Sequence, residues 1–103
     1  MIVVNFKTYA SASGAEAEAL LKAMEAHADG PATFVAVASA FDLAVLAQQA
    51  SGVEVWSQHL DPVGLGGFTG WLEPQTAMQR GASGSIINHA EHKVELEHVR
   101  SLL

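Results

Sequence analysis

Cysteine is absent from this sequence, and basic residues are scarce. Without cysteine the chain has neither disulfides nor thiolate chemistry, which fits the cytoplasm, where thiols stay reduced. Five Lys and Arg stand against eleven Asp and Glu, giving a formal net charge of −6. Nucleic-acid binding needs clustered positive charge to neutralise phosphates, so nucleic acid is excluded as a partner.

Long apolar runs are also missing. No stretch approaches the ~20 apolar residues that a membrane-spanning helix needs. The N-terminus lacks the charged flank of a signal peptide. Half of the residues are nevertheless hydrophobic, and no segment is of low complexity. We therefore expect one globular domain over residues 1–103, located in the cytoplasm and not associated with a membrane.

Hydrophobic periodicity predicts four strands that alternate with four helices. The strands are expected at 2–7, 33–38, 53–58 and 83–88, and the helices at 13–29, 40–50, 73–80 and 91–103. Ser13 and Glu16 have capping-box spacing, and Ser39 precedes the second helix as its cap. Regular alternation of this kind indicates a parallel α/β sheet with right-handed crossovers. It is compatible with a doubly wound sheet or with an arc of a barrel.

Polar side chains follow three of the predicted strands. They are Asn5 and Lys7, then Gln58 and His59, then Asn88, His89 and Glu91. Taken singly, each is an ordinary strand-end or loop residue. Because the carboxyl ends of parallel strands meet at one edge of a sheet, together they predict a polar pocket able to hold an oxygen-rich anion.

His89 and Lys7 are the candidates for chemistry in this pocket. His89 directly precedes a predicted helix, whose positive dipole end disfavours imidazolium, so a neutral ring is expected to polarise a carbonyl. Lys7 supplies positive charge for an oxyanion or a phosphate. Such a pair suits proton abstraction next to a carbonyl, provided that a general base is present.

A long loop, 61–71, follows the third predicted strand. It contains Leu65, Phe68 and Trp71 among several glycines, although a solvated loop has no need of such side chains. We expect it to insert into a partner or to act as a lid; the alternative is that it folds back onto its own domain.

No metal and no cofactor are predicted. His89, Glu91 and His92 do not have the spacing of a zinc-binding H-E-x-x-H helix. With Glu95 and His98 nearby, they favour a solvated polar helix face instead. Gly64–Gly67 lacks the pattern of a phosphate-binding loop and is interpreted as a hinge.

Several of these motifs together resemble the triosephosphate isomerase family, above all its archaeal branch. The matching segments are Asn5-Phe6-Lys7-Thr8-Tyr9, Gln58-His59, Asp61-Pro62, Gly67-Phe68-Thr69-Gly70, Pro74 and Asn88-His89-Ala90-Glu91. The resemblance covers essentially the whole chain. It implies an aldose–ketose isomerase that interconverts glyceraldehyde 3-phosphate and dihydroxyacetone phosphate in glycolysis and gluconeogenesis.

The resemblance also implies roles for individual residues. Lys7 would balance the substrate's charge, with Asn5 as its substrate-contacting companion, and His89 would be the electrophile. Glu91 is similar to the family's carboxylate beside that lysine. Phe68, Thr69 and Trp71 belong to a loop that docks into a neighbouring subunit in the family. The family has Ser after the His, where this chain has Ala90.

The length implies half of a (β/α)8 barrel. A complete TIM barrel has eight βα units in about 250 residues, and four are predicted here. The general-base Glu, the lid and the phosphate loops of the family would all lie in the other half. We therefore expect little or no isomerase activity from these residues alone, unless Glu91 has been recruited as the base or a separate chain supplies it.

Two other functions are compatible with the sequence, and the sequence also predicts that the chain associates. The chain could be a non-catalytic, self-associating module with a residual pocket for triose phosphate or another small anion. It could also be a fragment without an independent role. In either case, open sheet edges at the first and fourth strands and the 61–71 loop predict a homo-oligomer.

Overall fold

The computed structural model describes all residues, 1–103. Along the chain it has β1 (Ile2–Asn5), a short 3₁₀ helix (Ala10–Ala12), α1 (Ala15–Glu25), β2 (Phe34–Ala38), α2 (Leu43–Gln49), β3 (Val53–Ser57), α3 (Pro74–Gln79) and α4 (Leu96–Leu102). None of these helices has both the length and the apolar character that crossing a membrane requires.

The three strands form a parallel sheet in the order β1-β2-β3. The strands pair in sequence, so that Val4 lies beside Ala36 and Ala36 beside Val55. Apolar residues run through each strand because both faces of a parallel sheet become covered. The predicted parallel α/β architecture is confirmed.

One face of this sheet carries the hydrophobic core. Phe6, Ala36 and Val55 of the strand segments pack in one cluster with buried residues of the helices. The helical members are Ala17, Leu21 and Met24 of α1 and Leu43 and Leu46 of α2, with Ala77 of α3 partly buried against them. Helices α1, α2 and α3 thus contribute to a single layer, which favours an arc of a barrel over a doubly wound sheet.

On the opposite face of the sheet, side chains at the centre are buried and those at one edge are exposed. Val35 and Val37 of β2 are fully buried, whereas Val3 on the edge strand β1 is 45% exposed. Trp56 pairs with Val37 in the register, and its indole Nε1 is buried without a hydrogen-bond partner. The outer edge of β1 has no strand beside it, as expected for an open sheet.

The fourth predicted strand, 83–88, is reduced to a single β-bridge, so the sheet has three strands instead of four. Its start follows β3: the Ser83 N–H donates to the Val55 carbonyl at 3.0 Å, and the Ile86 N–H donates to that of Ser57 at 2.9 Å. Only one bridge forms, between Ser57 and Ser85. Asn88 then adopts a φ of 62°, a left-handed conformation that ends the extended backbone.

Helix starts also differ from the predictions. The expected capping box is wrong, because the Ser13 hydroxyl donates to the Tyr9 carbonyl and Gly14, with φ of 62°, precedes α1. Helix α2 begins after Asp42 rather than directly after Ser39. Helix α4 begins at Leu96, five residues later than expected, and none of its residues is buried.

The predicted position of helix α3 is confirmed. The Glu73 carboxylate accepts hydrogen bonds from the backbone N–H groups of Gln75 and Thr76 at 2.6 and 2.7 Å. Pro74 follows at the first helical position, where its missing N–H has no cost. A hydrogen bond with the Thr76 side chain and, after it, these two backbone hydrogen bonds lower the pKa of Glu73, and burial opposes them.

The 61–71 loop keeps its apolar side chains in water. Leu65, Phe68 and Trp71 are 71%, 44% and 55% exposed, so the loop does not fold back to bury them. The base of the loop is closed by Asp61 and Leu72, whose backbones are hydrogen-bonded at 2.8 Å.

Candidate active site

The carboxyl ends of β1 and β3 are joined through Lys7. The backbone of Lys7 has a φ of 52°, a conformation that residues other than glycine rarely adopt. Its N–H donates to Asn5 Oδ1 at 3.0 Å, and its carbonyl accepts from Gln58 Nε2 at 2.8 Å. Gln58 also reaches the carbonyl of Val37 at 3.3 Å. Asn5 and Gln58 therefore hold the Lys7 backbone in place.

The Lys7 side chain is paired with Glu91. Lys7 Nζ donates to Glu91 Oε1 at 2.8 Å and lies 5.5 Å from the centre of the Tyr9 ring. The hydrogen bond to Glu91 raises the pKa of Lys7, and the same bond lowers the pKa of Glu91. Both groups are thus fixed in their charged forms, and a carboxylate in this state is a weak base.

His89 is oriented by the backbone of the turn that follows it. The Glu91 N–H donates to His89 Nδ1 at 3.1 Å. Because Nδ1 accepts this bond, the proton of the neutral ring belongs on Nε2, which becomes the donor. The ring is partly exposed, at 33%.

The explanation that the sequence offered for His89 is wrong. It invoked the dipole of a helix starting next to His89, but α4 begins only at Leu96. Helix-dipole effects fade within one turn, so α4 does not act on this ring. What the structure shows for this ring is its tautomer, which the Glu91 amide selects.

Most of the predicted polar residues line one cleft of about 330 Å³. Its lining residues are Asn5, Lys7, Thr8, Ala40, Gln58, His59, Leu72, Ile86, His89, Glu91 and His92. Asn88 does not line this cleft: its side-chain oxygen accepts from the Val94 N–H at 3.0 Å and shapes the turn after His89. The predicted convergence thus holds for three chain segments, with Asn88 as the exception.

Sequence reasoning missed a second cluster beside the cleft, formed by histidines. His59 Nε2 lies 2.9 Å from Asp61 Oδ1, and its ring stacks on that of His92 with centroids 4.0 Å apart. His98 Nε2 contacts the Leu60 carbonyl at 2.8 Å. The predicted solvated helix face is therefore wrong for His98, whose side chain is only 15% exposed. No periodicity links these residues, so only the fold could reveal the cluster.

Asp61 is ionised within this histidine cluster. Burial alone would raise its pKa, and this is the largest single influence on the group. Hydrogen bonds from the Leu72 N–H and from His59 outweigh burial, so the pKa of Asp61 lies below its ordinary value. The carboxylate is thus held in place at the base of the 61–71 loop.

The 61–71 loop borders a second, wider cleft of about 810 Å³. Thr69, Gly70 and Trp71 line one part of it, and His59, Asp61 and His92 line another. Of the loop residues that the sequence associated with an interface, Thr69 and Trp71 are therefore adjacent to the histidine cluster and, through His59 and His92, to the first cleft.

Two kinds of groups in the first cleft bear on chemistry. Lys7 provides a fixed positive charge, and His89 provides an N–H donor on its outward nitrogen. Glu91 is the only carboxylate that lines this cleft, and Lys7 occupies it. The arrangement can bind an anion and polarise a carbonyl, but its own carboxylate is poorly suited to removing a proton.

Known proteins share this sequence pattern. A family model described as triosephosphate isomerase matches residues 1–102. The chain belongs to the triosephosphate isomerase family. The resemblance of its motifs to that family, and the interpretation of the sheet as part of a TIM barrel, are thereby confirmed.

The similar relatives are archaeal triosephosphate isomerases. The chain is 36% identical over 97 residues to that of Archaeoglobus fulgidus, which covers 93% of this chain and 43% of the relative. For the enzyme of Methanobrevibacter smithii the identity is 34%, over 100% of this chain and 46% of the relative. For that of Methanosarcina barkeri it is 35%, over 99% and 46%. The chain spans less than half the length of these relatives.

Proposed function

We propose that this chain supplies the electrophilic and charge-balancing part of a triosephosphate isomerase site, for the interconversion of glyceraldehyde 3-phosphate and dihydroxyacetone phosphate. The observation that carries the proposal is that Lys7 and His89 line one cleft, with His89 held in the tautomer that presents an N–H donor. The reaction and its place in glycolysis and gluconeogenesis, and hence a cytoplasmic location, rest on family membership.

Each residue has a distinct task in this proposal. His89 Nε2–H donates to the carbonyl oxygen of the bound triose phosphate and stabilises the negative charge that develops there on enolisation. Lys7 balances the charge of the substrate. Asn5 fixes the strained Lys7 backbone through its side-chain oxygen. Glu91 positions both groups, through its carboxylate on Lys7 and its amide on His89.

The general base is proposed to come from residues outside these 103. Enolisation requires a base to remove the proton next to the carbonyl, and Glu91 is engaged with Lys7 and has a lowered pKa. The base would then be supplied by a further part of the same polypeptide or by a separate chain. Residues 1–103 by themselves are proposed to have little or no isomerase activity and to form a single (βα)4 half-barrel unit.

Association is part of the same proposal. The outer edge of β1 is unpaired, and the loop exposes Phe68, Thr69 and Trp71. Unpaired strand edges and exposed aromatic side chains favour protein–protein contact. We expect a homo-oligomer joined through these edges and the 61–71 loop, and light scattering at micromolar concentration would measure its mass. A strictly monomeric, non-aggregating chain would contradict this expectation.

An isomerase assay tests the catalytic proposal. The purified chain should give a rate close to the uncatalysed background, and addition of a polypeptide carrying the other four βα units of an archaeal relative should restore turnover. His89→Gln should strongly lower the restored rate, because the amide N–H of glutamine is less acidic than an imidazole N–H and is not oriented by the Glu91 amide. His27→Gln, at an exposed position, is the matched control and should leave it unchanged.

Two outcomes of this assay would contradict the proposal. One is turnover by the chain alone that survives His89→Gln, which would mean that the electrophile is misassigned. The other is turnover by the chain alone that is lost in His89→Gln but needs no second polypeptide, which would place the base within these 103 residues.

A non-catalytic anion-binding module is the second candidate. It is favoured by the composition of the cleft, in which Lys7 and several side chains with N–H groups are present and the single carboxylate is paired with Lys7. This candidate predicts that inorganic phosphate or a triose phosphate binds, that Lys7→Ala weakens the binding, and that no turnover appears even with the complementary half. NMR titration of the chain with inorganic phosphate distinguishes it from a fragment that binds nothing.

A further inference from the structure

The histidine cluster brings together ligand atoms from three parts of the chain. His59 follows β3, Asp61 begins the 61–71 loop, and His98 lies on α4. Asp61 Oδ1 is 2.9 Å from His59 Nε2 and 3.9 Å from His98 Nε2. One ligand atom from each residue lies within 4.8 Å of the other two.

These separations are close to those of a metal site. A tetrahedral ion with metal–nitrogen and metal–oxygen bonds of about 2.0–2.1 Å holds its ligand atoms about 3.3 Å apart. The Asp61–His59 pair is slightly closer than that and the Asp61–His98 pair slightly wider. The ligand atoms of His59 and His98 lie within 4.8 Å of each other, so rotation of these side chains would bring the three atoms into a common coordination sphere.

We propose that His59, Asp61 and His98 form a binding site for a divalent transition-metal ion, with Zn²⁺ as the reference ion. Two imidazole nitrogens and one carboxylate oxygen are ligands suited to Zn²⁺ and its neighbours in the first transition row. Ca²⁺ and Mg²⁺ prefer all-oxygen surroundings and fit this set poorly. Three protein ligands leave a fourth position for water.

The surroundings of the three ligands restrict their motion. The second oxygen of Asp61 accepts from the Leu72 N–H at 2.8 Å, which leaves the first oxygen directed at the histidines. The His59 ring is stacked on His92 and is only 10% exposed as a side chain. Hydrogen bonds and packing of this kind orient metal ligands in proteins and strengthen binding.

Two existing hydrogen bonds oppose metal binding. His98 Nε2 contacts the Leu60 carbonyl at 2.8 Å and His59 Nε2 contacts Asp61 Oδ1 at 2.9 Å, and as metal ligands both nitrogens must give up their protons. Each proton would move to Nδ1 of the same ring or to solvent, and the Leu60 carbonyl would lose its partner. We therefore expect moderate affinity, in the micromolar range, that weakens as the pH is lowered.

An ion can reach the cluster from solvent. His59 and Asp61 line the wider cleft of about 810 Å³ described above. Binding would also fasten α4, which has no buried residue, to the end of β3. The proposed site does not rest on the isomerase function: it uses neither Lys7 nor His89, and it shares only the lining residue His59 with the first cleft.

Metal titration of the purified 103-residue chain tests this inference. Calorimetry with Zn²⁺, without any triose phosphate, should show one ion bound per chain, and the melting temperature should rise until one equivalent is present. Co²⁺ should give the visible absorption of a tetrahedral complex. His98→Ala and Asp61→Asn should each weaken Zn²⁺ binding at least tenfold, whereas the control His27→Ala should not change it.

The controls separate a metal site from a hydrogen-bond network. A network alone would lower the melting temperature of His98→Ala without Zn²⁺, but neither the wild type nor the variant would respond to the ion. Absence of Zn²⁺ binding by a folded wild-type chain overturns the inference. So does binding that persists in both His98→Ala and Asp61→Asn, because the ion would then be held elsewhere.

Discussion

Replacement of Gly81 by alanine should destabilise the fold through two separable effects. Gly81 follows α3 with a φ of +107°, and a Cβ added there would lie 2.6 Å from the Cβ of Ala47 on α2. A left-handed conformation costs a residue with a Cβ about 1–2 kcal/mol. Carbon atoms pack at about 3.5–4.0 Å, so α2 and the end of α3 must also separate, at a cost of about 1–3 kcal/mol.

A smaller effect works in the opposite direction. Alanine restricts the unfolded chain and thereby stabilises the folded state by about 0.4–1 kcal/mol. The expected net loss for Gly81→Ala is about 2–4 kcal/mol in the free energy of unfolding. This is a large fraction of the roughly 5–15 kcal/mol that stabilises a typical domain.

Urea denaturation followed by circular dichroism measures this loss, and two matched variants divide it. Gly14 also has a positive φ, of +62°, but nothing lies within 4 Å of an added Cβ, so Gly14→Ala reports a backbone cost without a steric contact. Ala47→Gly in the Gly81→Ala background removes the close contact and should recover part of the stability. If Gly81→Ala were no more destabilising than Gly14→Ala, the inferred contact between α2 and the end of α3 would be wrong.

Three further outcomes are expected from single substitutions. Leu46→Ala should cost about 2–5 kcal/mol, because Leu46 is fully buried in the core; a loss below 1 kcal/mol would mean that the core is not packed as described. Gly84→Ala should lower the melting temperature because its Cβ would lie 2.6 Å from the Trp56 ring, and Trp56→Leu in the same background should offset part of this loss. At pH values above 3.8, the ordinary pKa of aspartate, Asp61→Asn should destabilise the chain, because the fold stabilises the ionised carboxylate of Asp61. The destabilisation should become smaller as the pH falls through the lower pKa that Asp61 has in the folded state. If the difference in unfolding free energy between Asp61→Asn and the wild type does not narrow when urea denaturation is repeated at acid pH, the fold does not stabilise the ionised form of Asp61.

The sheet and the core could be predicted from the sequence because their signals are local. Apolar runs and helical stripes place Val35 in a buried strand and Leu21 on the inner face of α1, and both are buried. The polar pocket was predictable for a related reason. Once the strands are parallel, Asn5, Lys7 and Gln58 must arrive at the same edge of the sheet.

Other features depend on contacts that no local pattern contains. The Ser13 hydroxyl bonds to Tyr9 instead of capping α1, because Gly14 directs the chain into the helix with a left-handed turn. The fourth predicted strand forms only one bridge, and Asn88 after it adopts a positive φ, which its residue type permits but does not require. His98 meets Asp61 only because α4 places it against Leu60 and Asp61, which follow β3.

The two tryptophans of the chain should be distinguishable by fluorescence. The indole nitrogen of Trp56 is buried without a hydrogen-bond partner, whereas Trp71 is 55% exposed on the loop. Trp56 should therefore emit at shorter wavelength and be poorly accessible to acrylamide, while Trp71 emits at longer wavelength and is readily quenched. Trp71 is the only tryptophan on the loop. Loss of its quenching as the protein concentration rises would therefore show that the loop becomes buried on association.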